Sequence, residues 1–436
     1  MKRCLLLALT LAVASSTQAD NWAQWRGPSF NGSTTETDLP SSWSKTENVV
    51  WKAALPGESA ATPIVWEDKV FISSTDKAEE NLLAMCFDRT TGKLLWSHKI
   101  NEGLRRDSRS DYSSPSPATD GDVVVFFYGN GDLVTFGLNG KELWKRNIQK
   151  EEGDFAFQWT FSSSPLLYEG KLYLQVLQRD TPVHGKGFKD RPNESYFLAM
   201  DPKTGKTLWK HIRPSEAQVE SRESFATPIP FTFRGQKQIL IVGGDDLTAH
   251  DPATGKELWR WGTWNPTRIG HWRHVPSPIA SEDIILVCAP KKDPIYAIKA
   301  GGAGLLNDRA IAWVSNDTRN LTSDVPTPAY YQGDFFVLSD VRKALSRVEP
   351  KTGKVKWSID LPGFYKFEAS PLAADNKIYI MNFAGDVLVI DAQNGKTISN
   401  IKMGSGSDNY ARSAIVAAHG QLFIRTNGEL FCIAKH

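Results

Sequence analysis

Sulfur is scarce in this chain: 436 residues hold four cysteines and five methionines. Cys86, Cys288 and Cys432 are far apart, odd in number and set in apolar stretches such as Leu286-Val287-Cys288-Ala289. That pattern excludes a disulfide framework and gives no zinc spacing, so buried free thiols are favoured over a bridge. Net charge is also missing. Lys and Arg number 51 against 49 Asp and Glu, and setting aside Lys2 and Arg3 leaves 49 against 49. Nothing in that balance points to nucleic acid or an anionic membrane. Long hydrophobic runs are absent too. The apolar run from Leu5 to Ala14 is too short to span a bilayer. With Lys2-Arg3 before it and Thr17-Gln18-Ala19 after it, residues 1–19 read as an export leader cut before Asp20. Without a cysteine at the end of that run, no lipid anchor is expected. Three further absences bear on chemistry: no Ser-His-Asp arrangement, no phosphate-cradling glycine loop and no Cys–His metal spacing.

What the chain has is a repeat. Asp201-Pro202-Lys203-Thr204-Gly205-Lys206-Thr207-Leu208-Trp209 recurs as Asp251 to Trp259 and as Asp88 to Trp96. Weaker copies end at Trp144, Trp313 and Trp357, giving spacings of 48, 65, 50, 54 and 44 residues from Trp96 onward. One motif per 44–65 residues marks a repeat architecture. Around Trp209 the unit reads as four strands: Phe161–Tyr168, a Glu169-Gly170 turn, Lys171–Leu177, then Ser195–Met200 and Lys206–Ile212. Asp and Gly supply the turn, through an Asx bond and positive φ. A proline recurs near each first strand (Pro63, Pro117, Pro165, Pro228, Pro278, Pro328, Pro371), where a missing N–H is harmless only on a sheet edge.

Four antiparallel strands per unit predict an all-β protein, an eight-bladed β-propeller over residues 48–436. First strands are expected near residues 61, 115, 163, 226, 276, 326, 369 and 413. The outermost strand carries the tryptophan, as a wedge between neighbouring blades: Trp51, Trp96, Trp144, Trp209, Trp259, Trp313 and Trp357. The last unit lacks a fourth strand. Asn48-Val49-Val50-Trp51-Lys52 has no unit of its own, so it is predicted to complete that blade and close the ring. Residues 20–47, with Trp22, Trp25 and Trp43, read as a strap anchored on the ring by its aromatics.

These Thr-Gly…Trp elements and Ser/Thr-Pro strands resemble the pyrroloquinoline-quinone (PQQ)-type propeller repeat family over nearly all of residues 48–436. Gln24-Trp25-Arg26-Gly27-Pro28 resembles the opening of secreted BamB-like members. The resemblance implies the fold. It leaves activity open, because the family holds quinoprotein dehydrogenases as well as non-catalytic BamB-like scaffolds.

Chain length accumulates in connections from a fourth strand to the next first strand, and between second and third strands. Both lie on one face of the disc, where loops on a rigid scaffold carry function. There the sequence offers Arg109, Tyr112, Trp159, Arg222, Glu223, Arg268, His271, Trp272, Arg273, His274, Glu368, Tyr410 and Arg412 as candidates for the channel mouth. A dehydrogenase would need an aromatic to stack on PQQ, cations for its carboxylates, and Ca²⁺ held by acid and amide oxygens. The adjacent cysteine pair of many such enzymes is absent. A docking surface for protein, peptide or polysaccharide needs only Arg and aromatics. The expectation is therefore an exported, monomeric, non-catalytic binding propeller with no metal and no cofactor; PQQ with Ca²⁺ is the alternative. His271 and His274 could share a metal, but no third ligand is near in sequence, so a hydrogen-bonded loop is favoured.

Overall fold

A computed structural model describes residues 21–105, 107–315, 320–405 and 410–435; the leader read over 1–19 lies outside these. Eight antiparallel sheets follow one another around a central axis. Short inner strands begin one residue after each proline, as at Ile64–Trp66, Leu166–Tyr168 and Leu372–Ala374. They start about three residues later than the sequence pattern placed them.

Val49–Ala54 completes the eighth blade by pairing antiparallel with Glu429–Ile433, as the missing fourth strand required. Arg425 strengthens this seam. Its buried guanidinium crosses from blade 8 to the carbonyls of Ser73 (2.6 Å) and Gly57 (3.2 Å) in blade 1. The three cysteines are buried and free, and burial pushes the Cys86 thiol up to about 12.

The repeated motif acts as a lock between blades. Asp201 Oδ1 accepts the amides of Lys203 and Thr204, and the Gly205 N–H returns to the Asp201 carbonyl. Gly205 sits at φ +71° with the Trp144 indole of the preceding blade against its α-carbon; a Cβ there would lie 2.7 Å from the ring. Trp144 Nε1 donates to the Pro202 carbonyl at 2.8 Å. Trp51, Trp96, Trp313 and Trp357 likewise donate to carbonyls of the next blade, and Trp209 lies on Gly255. Trp259 departs from this pattern. It donates to Gln238 of its own blade. The next blade has no short turn there, because the insertion after Ile298 lays Gly304–Leu305 parallel against Trp259 and Arg260 as a fifth strand. At Ser399, where the outer tryptophan is lost, the N-terminal segment substitutes. Trp43 packs near Tyr379 and donates to Met403 Sδ, and the Ser399 hydroxyl donates to the Ser41 carbonyl.

Residues 22–34 do more than strap the ring. They cross its axis. Trp22 bridges Val65 in blade 1, the Ala23 carbonyl accepts the Thr119 amide in blade 2, and the Gln24 side-chain amide pairs with both backbone groups of Leu167 in blade 3. On the far side, Arg26 donates to the carbonyls of Pro328 (2.7 Å) and Pro371 (3.3 Å) in blades 6 and 7. The Arg26 guanidinium is buried among carbonyls, with no carboxylate paired to it among the described residues, and desolvation lowers its pKa to about 9. The channel is thus closed from the short-turn side.

Candidate functional site

The residue before each inner-strand proline is Ser or Thr, and the structure explains why. The amide of Thr62 donates to the Ser116 hydroxyl one blade on, Ser116 to Ser164, and Ser164 to Thr227. Thr227 continues to Ser277, Ser277 to Thr327, and Thr327 to Ser370. Ala414 closes back onto Thr62. This belt of hydroxyls encircles the axis and stitches neighbouring blades, with donor–acceptor distances of 2.8–3.2 Å. It is interrupted once, between Ser370 and Ala414, because alanine has no hydroxyl.

The belt and a plug formed by residues 22–34 together make a cup of about 150 Å³ that opens on the loop-bearing face. Trp25 forms its floor, held between Gln24 and Arg26. The belt hydroxyls form the wall, with Phe225 above them. Arg109, Trp159, Arg273, Glu368 and Arg412 form the rim. Asp107 sets the Arg109 loop by accepting the amides of Arg109 and Ser110 on one oxygen and Thr160 on the other. The Arg109 guanidinium lies over the Trp159 ring, 5.7 Å from its centre. Trp159 Nε1 donates to Glu220. Arg412 donates to Glu368 at 3.0 Å and lies over Phe383. Arg273 has a side chain only 6% exposed, yet its nearest carboxylates, Glu220 and Asp324, stand at 3.7 and 4.0 Å. Behind the rim, Asp340 accepts the Asp324 amide; burial, aided by the nearby carboxylates of Asp324 and Glu368, raises its pKa to about 7.

Five of the thirteen candidates from the sequence therefore line the cup: Arg109, Trp159, Arg273, Glu368 and Arg412. Tyr410 stands in an adjoining crevice with Arg109, Arg412 and Asp111. The other seven do not line it. Arg222 is spent on the carbonyls of Ser215 and Ala217, because the 3-10 turn Val219–Arg222 aims it back along its own loop. Glu223 is fully buried between Arg179 (2.5 Å) and the Gln158 amide, and burial raises its pKa to about 7 despite the arginine. Arg268 pairs with Glu216 and Asp245. Trp272 packs on the core around Trp261 and Trp264. Tyr112 lies under Lys186. His271 is exposed while His274 is buried, where desolvation lowers its pKa to about 4 and keeps it neutral. Sequence reasoning missed Trp25 and the belt as cup-lining groups, although the Ser/Thr-Pro dipeptides were visible.

PQQ and Ca²⁺ can be tested against this donor set. Three guanidiniums suit a polycarboxylate, and Trp25 and Trp159 offer ring surface. The calcium half fails. Among the described residues no three His, Cys, Asp or Glu side chains converge, and the one carboxylate lining the cup, Glu368, is bonded to Arg412. No free acid remains there to serve as a base. The residues present do not fit the pair.

The family described as outer membrane protein assembly factor BamB matches residues 33–180, 150–289 and 193–436. The BamB of Burkholderia pseudomallei is 22% identical over 214 residues, covering 48% of this chain and 45% of that protein. The chain spans 33% to 45% of the length of the curated relatives it matches. Among solved structures, BamB from Moraxella catarrhalis superposes with a TM-score of 0.60 at 13% identity, covering 89% of this chain and 99% of that one. Quinohemoprotein alcohol dehydrogenase from Comamonas testosteroni gives 0.66 at 13% identity, over 95% and 81%. At such identities these likenesses concern the fold, which scaffolds and dehydrogenases share.

Proposed function

The chain belongs to the PQQ-like β-propeller family, and from that premise we propose that it is a non-catalytic binding propeller of the cell envelope. It takes a protein, peptide or polysaccharide group into the cup on its loop-bearing face. One observation carries this reading: three guanidiniums and the Trp159 indole converge at the mouth of a cup floored by the Trp25 indole, while the cup's carboxylate is already paired. Arg and Trp in a concave, partly dried site are what binding centres favour. The envelope location is supported by the leader-like residues 1–19 and by the description of the BamB relative as an assembly factor of the outer membrane. None of the described helices is long and apolar enough to cross a membrane.

The test compares the wild-type protein with the triple variant Arg109→Ala, Arg273→Ala, Arg412→Ala, each immobilised and exposed to an envelope extract. Retained protein and carbohydrate are both measured. Material held by the wild type should be lost from a variant that keeps its circular dichroism. The same material on both would move the site off the channel mouth. A bound quinone chromophore and dye reduction with alcohols, after soaking in PQQ and Ca²⁺, would overturn the non-catalytic reading.

A further inference from the structure

The polar part of the cup's wall is made largely of hydroxyls and guanidiniums, set beside Phe225, Val275, Val325 and Ala414. A serine or threonine hydroxyl has one O–H and two lone pairs. Each belt hydroxyl spends a lone pair on the backbone amide of the preceding blade, and among the described residues none of those lining the cup donates to a protein acceptor. Six of the seven line the cup, so six hydroxyls without a protein acceptor border the same space. Arg273 adds a second, independent observation. Its guanidinium carries five N–H donors, is nine-tenths buried and makes no hydrogen bond to the described protein. Its two carboxylate neighbours, at 3.7 and 4.0 Å, neutralise charge without serving as acceptors at hydrogen-bond distance. Its nitrogens are not among the fully enclosed unpaired atoms; they open onto the cup, so these charged donors are available to a ligand there.

The geometry points to an acidic saccharide of the uronate type as the ligand. This rests on the reading of the cup as a binding site and narrows its class. A carboxylate on the ring meets Arg273, with Arg109 and Arg412 at the rim. Hydroxyl and ring oxygens accept from the belt, and the sugar face lies against Trp25 or Trp159. An acidic peptide side chain brings only two carboxylate oxygens and would leave most of the belt donors unmet. A neutral sugar brings acceptors but no anion. The same chemistry can arrive as a free sugar acid or as the end of a polyuronate chain.

Titration calorimetry tests this on the whole protein with four probes: galacturonate, trigalacturonate, galactose and a hexaglutamate peptide. Both uronates should bind, and galactose should bind at least about tenfold more weakly, as expected for losing charge-assisted hydrogen bonds. Tighter binding of trigalacturonate identifies a chain end as the source; equal binding identifies the free acid. Arg273→Gln should erase the preference for galacturonate over galactose. Arg109→Ala, at an exposed position, should reduce uronate affinity without risk to folding. Equal affinity for galactose, tighter hexaglutamate binding, or uronate affinity unchanged in both variants overturns the assignment. Arginine-dependent capture of envelope material by a protein that binds no uronate would overturn it too, while leaving the binding site in place.

Discussion

The belt of hydroxyls has seven links and one gap, and the gap can be filled. Ala414 is buried at the position where every other blade has Ser or Thr, and by the order of the belt its partner would be the amide of Ser370 in the preceding blade. Ala414→Ser places a hydroxyl where the Ser370 amide can reach it, in the geometry of the other seven links. A net hydrogen bond contributes about 0.5–1.5 kcal/mol. The added atom sits at the wall of an open cup, so little overpacking offsets the gain. The gain should slow exchange of the Ser370 amide by about 2- to 13-fold, from the same energies divided by RT. Hydrogen–deuterium exchange of the peptide containing Ser370 reads this directly. Global melting is a poor assay, because in a chain this long 1 kcal/mol moves Tm by only about 1 °C. The reverse change, Thr227→Val, keeps shape but removes the acceptor for the Ser164 amide. It should cost about 1–3 kcal/mol through an unsatisfied buried donor. Unchanged exchange at Ser370 in Ala414→Ser, with accelerated exchange at Ser164 in Thr227→Val, would show that the last blade sits out of register. Unchanged exchange in both would refute the belt as a source of stability.

Other outcomes follow from the same structure. The pKa of Asp340 is raised to about 7, so the folded state binds its proton more tightly than the unfolded chain and this stability is lost as pH rises from about 4 to 7. Asp340→Asn can still accept the Asp324 amide; it should match the wild type near pH 4 and exceed it by roughly 2–4 kcal/mol at pH 8 in denaturant titrations, an upper range for so buried a group. Trp51 is 7% exposed and bonded to the Arg89 carbonyl at 2.6 Å. Trp51→Ala should cost about 3–5 kcal/mol in urea unfolding, and deleting residues 48–55 should leave the last blade open and lower thermal stability sharply. Arg26→Met should cost roughly 1–3 kcal/mol by stranding the carbonyls of Pro328 and Pro371, and should loosen the floor, seen as faster quenching of Trp25 fluorescence by acrylamide.

The ring was legible because its signals are local. Asp, Gly and Trp of one motif lie within nine residues, and the turn they build is also the seat for the neighbouring tryptophan. The belt was half legible. Its Ser/Thr-Pro dipeptides are visible, but each partner lies 43 to 63 residues away along the chain for the six consecutive links. That the N-terminal strap also crosses the axis was not legible, because Gln24 and Arg26 bond to backbone groups, which carry no sequence signature. Arg222 and Arg273 looked alike in sequence, each beside an inner strand. A single 3-10 turn sends one to its own loop, while the other keeps its donors for the cup. Trp259 shows the same limit, since the strand that covers it comes from a 10-residue insertion with no strand pattern.

Residues 22–54 bond mainly to parts of the chain made long afterwards: Arg26 to Pro371, Leu39 to Asp375, Tyr379 to Pro40, and Val49–Ala54 to Glu429–Ile433. Such separations, 336 to 345 residues for the first three, put these contacts among the slowest to form. Arg26, Leu39, Pro40 and Val49–Ala54 therefore find their partners late, although residues 22–24 meet theirs early. Until blades 6 to 8 exist, residues 22–24 can reach blades 1 to 3, but the partners of Arg26, Leu39, Pro40 and Val49–Ala54 are missing. The cup floored by Trp25 is complete only once Val49–Ala54 has paired with Glu429–Ile433, so its formation reports that the ring has shut.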